Sequence, residues 1–379
     1  MRKLKIKHIG PVQAAEVTLR RFNFFIGPQS SGKSTIAKVL STCTWIEKEA
    51  VTSNNPNQFA LRDDFLWYFV FFHKMEGYFC DQSEIDYESD AVRITYVGGT
   101  PAVEIKGEED YSMFKICYIP AERNMVTLTE LRRVEFGETN IRSFLFDWFD
   151  ARESFVGNRK MDILHLGTQY FYDSDNRQSK DRLSFSGGQD DSISLGCASS
   201  GLQSVTPLVL SLNYFSRRYF EDYGRKNSRE NKEKEERMDN WLSEKYGSRS
   251  SDLLEAKQRL SNPHQTSFIV EEPEQNLFPD TQSELLDEMV RLCCGERRHE
   301  LTVTTHSPYI LNQLNLMFKR FDMGDAEAVG LDYDDVSVYA VDNGGVADLK
   351  VRNAHLVNPE YLSAPIDRIY EMYDSYGSR

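Results

Sequence analysis

The stretch Gly27-Pro28-Gln29-Ser30-Ser31-Gly32-Lys33-Ser34-Thr35 constrains this chain more than any other. It follows an apolar run, Phe24 to Ile26, and matches the G-x-x-x-x-G-K-[ST] pattern in the context that pattern requires, a strand entering a loop that opens a helix. The spacing has a physical origin. Two glycines let the backbone curl into a concave nest whose N–H groups face an anion, and a helix starting near Lys33 adds the positive end of its dipole. In such a loop Lys33 reaches the β and γ phosphates of a nucleotide, and the Ser34 hydroxyl coordinates Mg²⁺. All nine residues, Gly27 through Thr35, are therefore expected to bind nucleotide.

A phosphate loop says only that a nucleotide binds. The 379 residues suffice for one large domain with elaborations or for two domains. With 40% hydrophobic and 27% charged residues the composition is that of a soluble globular protein. A net charge of −14 argues against non-specific coating of nucleic acid, though a local basic groove stays open. Six cysteines without C-x-x-C spacing predict reduced, mostly buried thiols and no zinc ribbon. The N-terminus lacks the apolar core of a signal peptide, and no run reaches the roughly 18 apolar residues of a membrane helix, so a cytoplasmic protein with no membrane contact is expected.

Residues 3–9 alternate charged and apolar, the pattern of a half-buried strand; 15–19 and 22–26 supply two more, and a helix is expected over 34–48. Between 50 and 180 regular alternation is lost. An aromatic stripe over 63–75 (Phe65, Trp67, Tyr68, Phe71, Phe72) reads as core or lobe packing. A hairpin around Gly98-Gly99, a buried strand over 114–119, helices near 127–134 and 139–163 and a strand over 169–172 follow. We expect 45–180 to form an inserted α/β lobe and 218–264, which includes the mixed-charge run 225–237, to form a charged helical insertion on a single head spanning 1–379. The last third returns to alternation: strands over 266–270, 300–304 and 336–341, helices over 280–292 (capped by Asp280) and 308–314, and a helical tail over 359–376.

Three further motifs follow the phosphate loop. Ala198-Ser199-Ser200-Gly201-Leu202-Gln203 opens a helical stretch, so its N–H groups can face a phosphate, whereas Ser186-Gly187-Gly188-Gln189 sits between strand-like runs and reads as a hairpin turn. Ser267 to Glu274 is an apolar strand ending in paired carboxylates. Glu271 is expected to hold Mg²⁺ through water and Glu272 to orient or deprotonate the attacking water. Val303 to Pro308 is another apolar strand, ending in His306, which is placed to meet the γ-phosphate. Lys33, Glu272 and His306 form the predicted catalytic set.

Together Phe22 to Thr35, Tyr118 to Asn124, Ala198 to Ser204, Val270 to Pro279 and Thr304 to Leu311 resemble the ABC-type ATPases of the SMC, RecF and OLD group. Within it, the chain is most similar to the compact bacterial AAA-15 and AAA-21 ATPases, including subunits of antiphage defence systems of the Septu, retron and PARIS kinds. The resemblance implies an α/β P-loop NTPase with an ABC-type head: a mixed sheet flanked by helices, an antiparallel β subdomain and a helical lobe. It also implies a homodimer or higher oligomer around ATP and Mg²⁺, in which Ser199, Ser200, Gly201 and Gln203 act in trans on the nucleotide of the other subunit. This sequence departs from the group's pattern at Glu271, usually aspartate, at Leu202, usually glycine, and in having no evident Q-loop glutamine; Glu122 and Arg123 stand as candidates for a regulatory contact there.

OLD-type nucleases continue into a TOPRIM domain. Only 73 residues follow His306, and Asp332, Asp334 and Asp335 lie in a loop-like stretch, so no C-terminal TOPRIM domain is expected. The resemblance then implies an ATPase that controls a separate effector, a nuclease or toxin, on a trigger such as a nucleic acid or a phage protein. A RecF- or SMC-like DNA clamp and a nucleotide-gated scaffold with little turnover are the alternative readings. A transporter subunit and a small-molecule kinase fit the motifs less well.

Overall fold

The computed structural model describes residues 2–107, 109, 111–128, 137–157, 159–176, 179–185, 192–223, 229–247, 250–358 and 360–377, with backbone alone at 229–237, 360, 362, 363, 365 and 377. The Ser186–Gln189 turn, most of the helix expected over 127–134 and the start of the charged run at 225–228 lie outside these residues.

The phosphate strand, Phe22–Ile26, alternates its side chains between two cores. Phe22, Phe24 and Ile26 face one and Phe25 the other, so every residue of the strand is buried. Such a strand needs cover on both faces, and it lies in the middle of a six-stranded sheet. In order the strands are Gly345–Asp348, Val336–Asp342, Phe22–Ile26, Glu300–Thr305, Gln265–Glu271 and Phe114–Ile119. The last five are parallel and the Gly345–Asp348 edge is antiparallel. One face is covered by the helices Asn140–Glu153, Ser200–Ser216, Pro279–Cys293 and Pro308–Asp322. Against the other lies the helix Lys33–Ser53, itself capped by an antiparallel sheet ordered Val12–Leu19, Arg2–Ile9, Phe79–Glu88, Val92–Val97, Thr100–Ile105. A small third sheet (Met161–Asp162, Thr168–Tyr172, Asp181–Phe185, Ser192–Ser194) packs on the Asn140–Glu153 helix through Trp148–Tyr170 and Arg152–Asp181.

The mixed sheet flanked by helices, with an antiparallel subdomain and a helical lobe, is the fold class expected from the sequence. Residues 45–180 are distributed among these parts: three strands extend the antiparallel sheet, Phe114–Ile119 forms an edge of the central sheet, and Asn140–Glu153 joins the helical layer. Residues 218–264 carry helices at Arg218–Tyr223, Arg229–Tyr246 and Ser251–Ser261.

Some local expectations change. Asp280 does not cap its helix: Phe278 takes the cap position, Pro279 fills the first turn and Asp280 follows it. The strand Phe79–Glu88 escapes a sequence reading because its first half is polar and exposed, and only Ser83, Ile85 and Tyr87 turn inward. Of the six free cysteines, Cys43, Cys117 and Cys293 are buried while Cys80, Cys197 and Cys294 are exposed, so the thiols are not mostly interior. Among the described residues no helix is long and apolar enough to cross a membrane.

Candidate nucleotide site

The carboxyl ends of the parallel strands converge on one edge of the sheet, where the loop Gly27–Gly32 leads into the helix Lys33–Ser53. Two glycines are required there. A Cβ on Gly27 would stand 2.0 Å from the carbonyl oxygen of Val341, on the neighbouring strand. Gly32 has φ +108°, and a Cβ there would meet Val12 at 2.6 Å. Ser30 also takes a positive φ of 61°. Gln29 through Thr35 line a cavity of about 670 Å³ with Gly10, Tyr78, Glu272 and His306. The Ser31 hydroxyl is buried with no partner in the protein.

Lys33 is 4% exposed and donates to the carbonyls of Gly27 at 3.0 Å and Pro28 at 2.7 Å. Its ammonium also lies 3.4 Å from Nδ1 of His306. Burial draws the lysine below its usual basicity, and the carboxylates of Glu272, Glu274 and Glu271 oppose that shift. An ammonium has only donors, so Nδ1 of His306 accepts and Nε2–H donates to Oε1 of Glu272 at 3.2 Å. Lys33, His306 and Glu272 thus form one continuous hydrogen-bonded chain. Glu272 sits at φ +45°, a conformation held by its N–H bond to the Thr304 carbonyl at 2.8 Å, and Gln275 donates to its second oxygen at 3.2 Å. Glu274 accepts from the His306 backbone N–H at 2.6 Å and fixes the height of the histidine.

The second cluster centres on Glu271, which is 5% exposed. Ser34 donates to its Oε2 at 3.0 Å, and the hydroxyl of Tyr118 donates to its Oε1. Burial raises the carboxyl above its usual range, and the Tyr118 and Ser34 hydrogen bonds and nearby Lys38 work against that rise. The Ser34 and Glu271 oxygens are hard donors side by side, a fit for Mg²⁺. No group of three or more His, Cys, Asp or Glu able to hold a metal exists among the described residues. A metal here would complete its shell with phosphate and water oxygens, as Mg²⁺ commonly does.

The acidic strand does not neighbour the phosphate strand. The strand ending at His306 lies between them. This interleaving lets the histidine touch Lys33 on one side and Glu272 on the other.

Arg123, expected as a regulatory contact, is wholly buried and faces carbonyls. Its guanidinium donates to Glu271 at 2.8 Å, Glu272 at 2.7 Å, Pro273 at 3.3 Å, Pro120 at 3.4 Å and Ser204 at 3.1 Å. It therefore clamps the acidic turn and ties that turn to the Ser200–Ser216 helix. Burial lowers its pKa to about 10, with Glu274, Glu272 and Glu271 acting in the opposite sense. Glu122 points to an exposed surface.

The helix expected to open near Ser199 does so. Ser199 is the cap and accepts from the Leu202 N–H at 3.4 Å; Ser199 and Ser200 are exposed. Gly201 has no room for a side chain, since a Cβ would meet the Asn276 carbonyl at 2.8 Å. Gln203 is committed within its own chain, donating to Gly196 at 3.1 Å and Ala198 at 2.8 Å and lying 3.4 Å from the Thr127 hydroxyl. Its side chain holds the entering turn and does not reach outward. Ser199, Ser200, Gly201 and Gln203 are not among the residues lining the phosphate-loop cavity of the same chain.

Sequence reasoning missed Tyr118, Glu274 and Tyr78. A tyrosine at the carboxyl end of a strand beside the acidic strand was the available signal for the first. The second stood in plain view as the fourth residue of Glu271-Glu272-Pro273-Glu274. Nothing local marks Tyr78, which reaches the cavity from the antiparallel sheet and whose ring packs on Gly10.

Fold and site together define a phosphate-loop α/β protein with a mixed central sheet and an antiparallel subdomain. No family model and no curated protein sequence matches the chain. Among solved structures, the SMC head domain from Thermotoga maritima has a TM-score of 0.41 and 10% identity over 92% of this chain and 98% of that one. The Smc head domain with an extended coiled coil from Pyrococcus furiosus, bound to the C-terminal domain of ScpA, has a TM-score of 0.41 and 11% identity over 93% and 98%. A dimeric ATP-binding cassette in a post-hydrolysis state with ADP and phosphate gives 0.30 and 10% over 92% and 99%.

Proposed function

We propose that this chain binds and hydrolyses ATP, with Mg²⁺, as half of a composite site completed by a second copy of itself. The observation that carries the reading is the hydrogen-bonded chain Lys33–His306–Glu272 at a phosphate-loop cavity, with Ser34 and Glu271 paired beside it. A bound Mg²⁺ would neutralise phosphate charge. Ser34 and Glu271 would hold it. Lys33 leaves the Gly27 and Pro28 carbonyls for the phosphate, and Glu272 takes the proton of the attacking water. His306 keeps the Glu272 carboxylate oriented through Nε2–H.

Support for the second copy comes from the Ser200–Ser216 helix. Its N-terminus, with Ser199 and Ser200 exposed, offers backbone N–H groups to an anion and does not border the chain's own cavity. Gly201 contributes backbone there, and Gln203 braces the turn. On the same reading ATP-dependent assembly controls a separate effector, a nuclease or toxin, in antiphage defence. That part rests on the resemblance to ATPase subunits of antiphage defence systems.

The test is ATP-dependent mass in solution for wild type, Glu272→Gln and Lys33→Ala. Glu272→Gln should lose about 100-fold or more in hydrolysis and accumulate as an ATP-bound dimer or higher oligomer, while Lys33→Ala should neither bind ATP nor associate. A Glu272→Gln protein that stays monomeric when saturated with ATP would refute the composite site. Purified protein that degraded DNA or RNA in a Glu272-dependent manner would refute the separate effector.

A further inference from the structure

Behind the nucleotide site lies a second cavity of about 440 Å³. Its walls are aromatic: Trp45, Trp67, Tyr68, Phe72, His73 and Tyr118. Trp45 and Tyr68 pack with centroids 3.9 Å apart and ring planes tilted by 37°, and the segment Tyr68–Phe72 is a single π-helical turn, a feature that recurs at functional sites. Core packing accounts for the inward members of the aromatic stripe, since Phe65 and Phe69 are fully buried. It does not account for Trp67, Tyr68 and Phe72, which remain half-buried around an open space.

Two observations point to a ligand. His73 is 1% exposed, lines the cavity, and has a buried Nδ1 with no partner. Burial lowers its pKa to about 3, so at neutral pH it presents an uncharged ring. In addition Arg142 stands in the lining as a cation beside the single carboxylate of Glu138, although the chain as a whole is strongly acidic. Lys115 is paired with Asp147 at 2.7 Å, and the exposed Arg142–Glu138 contact is loose at 3.8 Å. Hydroxyls of Ser41, Thr42 and Thr139 complete a wall suited to a flat ring with one polar end.

We propose that this cavity is a regulatory site for a small planar aromatic anion, and that its occupancy is transmitted to the metal carboxylate through Tyr118. Tyr118 belongs to both places: its ring lines the cavity 4.9 Å from that of His73, and its hydroxyl bonds Glu271. A ligand stacked in the cavity fixes the ring of Tyr118 and with it the position of the Glu271 carboxylate. The transmission rests on the ATPase reading; the binding does not.

The experiment uses 2-naphthoate titrated calorimetrically into the full chain without nucleotide. Naphthalene-2-carboxamide and cyclohexanecarboxylate test the charge and the ring in turn. The expected result is saturable one-site binding, weaker by about tenfold for each control compound and in Ser143→Trp, which fills the cavity, but unchanged in Ser143→Ala. Both Ser143 variants should still bind ATP, which shows that they fold. Absence of saturable binding, or equal affinity in Ser143→Trp, overturns the site. For transmission, 2-naphthoate should shift the Mg²⁺-dependent affinity for ATP by about fivefold in wild type and not in Tyr118→Phe, which should keep its naphthoate affinity. Naphthoate binding with no shift in wild type overturns the transmission. A chain that binds naphthoate yet never binds ATP overturns the ATPase reading and leaves the cavity site standing.

Discussion

Tyr118 donates its phenolic hydrogen to Glu271, the carboxylate that accepts from Ser34 through its other oxygen at 3.0 Å. With the Ser34 bond it fixes both oxygens of a buried carboxylate. Tyr118→Phe should weaken Mg²⁺ by about tenfold, the usual scale for losing a partner of a metal ligand. Hydrolysis should recover as Mg²⁺ is raised. A turnover defect that high Mg²⁺ leaves untouched would show that Tyr118 acts elsewhere.

Arg123 predicts a positioning defect. Its fork donates to carbonyls of both the acidic turn and the Ser200–Ser216 helix, and lysine can match the charge but not the geometry. Arg123→Lys should cost about 2–4 kcal/mol in unfolding, because buried carbonyls lose their partners. It should also lower kcat by about tenfold while moving the affinity for ATP little. Equal losses in both would mean general unfolding of the site.

Glu271 gives a pH prediction. Its folded-state pKa lies above that of an unfolded glutamate because burial penalises the charged form. The folded chain therefore holds its proton more tightly than the unfolded chain, so this group's contribution is full below about pH 4.5 and is lost as pH rises through the folded value. In the absence of nucleotide and Mg²⁺, Glu271→Gln should melt higher than wild type at pH 7, and the gap should narrow toward pH 4.5. The same variant should lose Mg²⁺-dependent hydrolysis. A lower melting temperature at pH 7 would contradict the sign.

Gly27 tests the close approach to Val341. Gly27→Ala should destabilise by about 2 kcal/mol or more and abolish ATP binding, because the Val341 carbonyl cannot retreat without breaking the strand pair Val336–Asp342 with Phe22–Ile26. Gly295→Ala, where the nearest atom lies 3.7 Å away, is the control and should be neutral in thermal unfolding.

Much of the site is legible in the sequence, since each motif is a strand end followed by a turn. Phe24 to Ser34 and Val303 to Pro308 carry burial, turn and helix start within about ten residues, while Phe268 to Glu272 carries burial and the turn. Ser199 to Leu202 belongs with these, because a helix cap is a local event. The polar strand Phe79–Glu88 is hidden because its pairing with Arg2–Ile9 is made by residues 70 or more positions away.

By itself the sequence determined the phosphate loop, the paired carboxylates, the histidine and the helix that opens at Ser199. Tertiary structure alone decided which of them meet. The strand ending at His306 inserts between the phosphate strand and the acidic strand, so a histidine 273 residues from Lys33 closes the chain to Glu272. The same packing turns Arg123 inward onto carbonyls and spends Gln203 on its own turn. The reason is physical: a buried donor must find acceptors, and only the packed arrangement of distant strands decides which acceptors lie within reach.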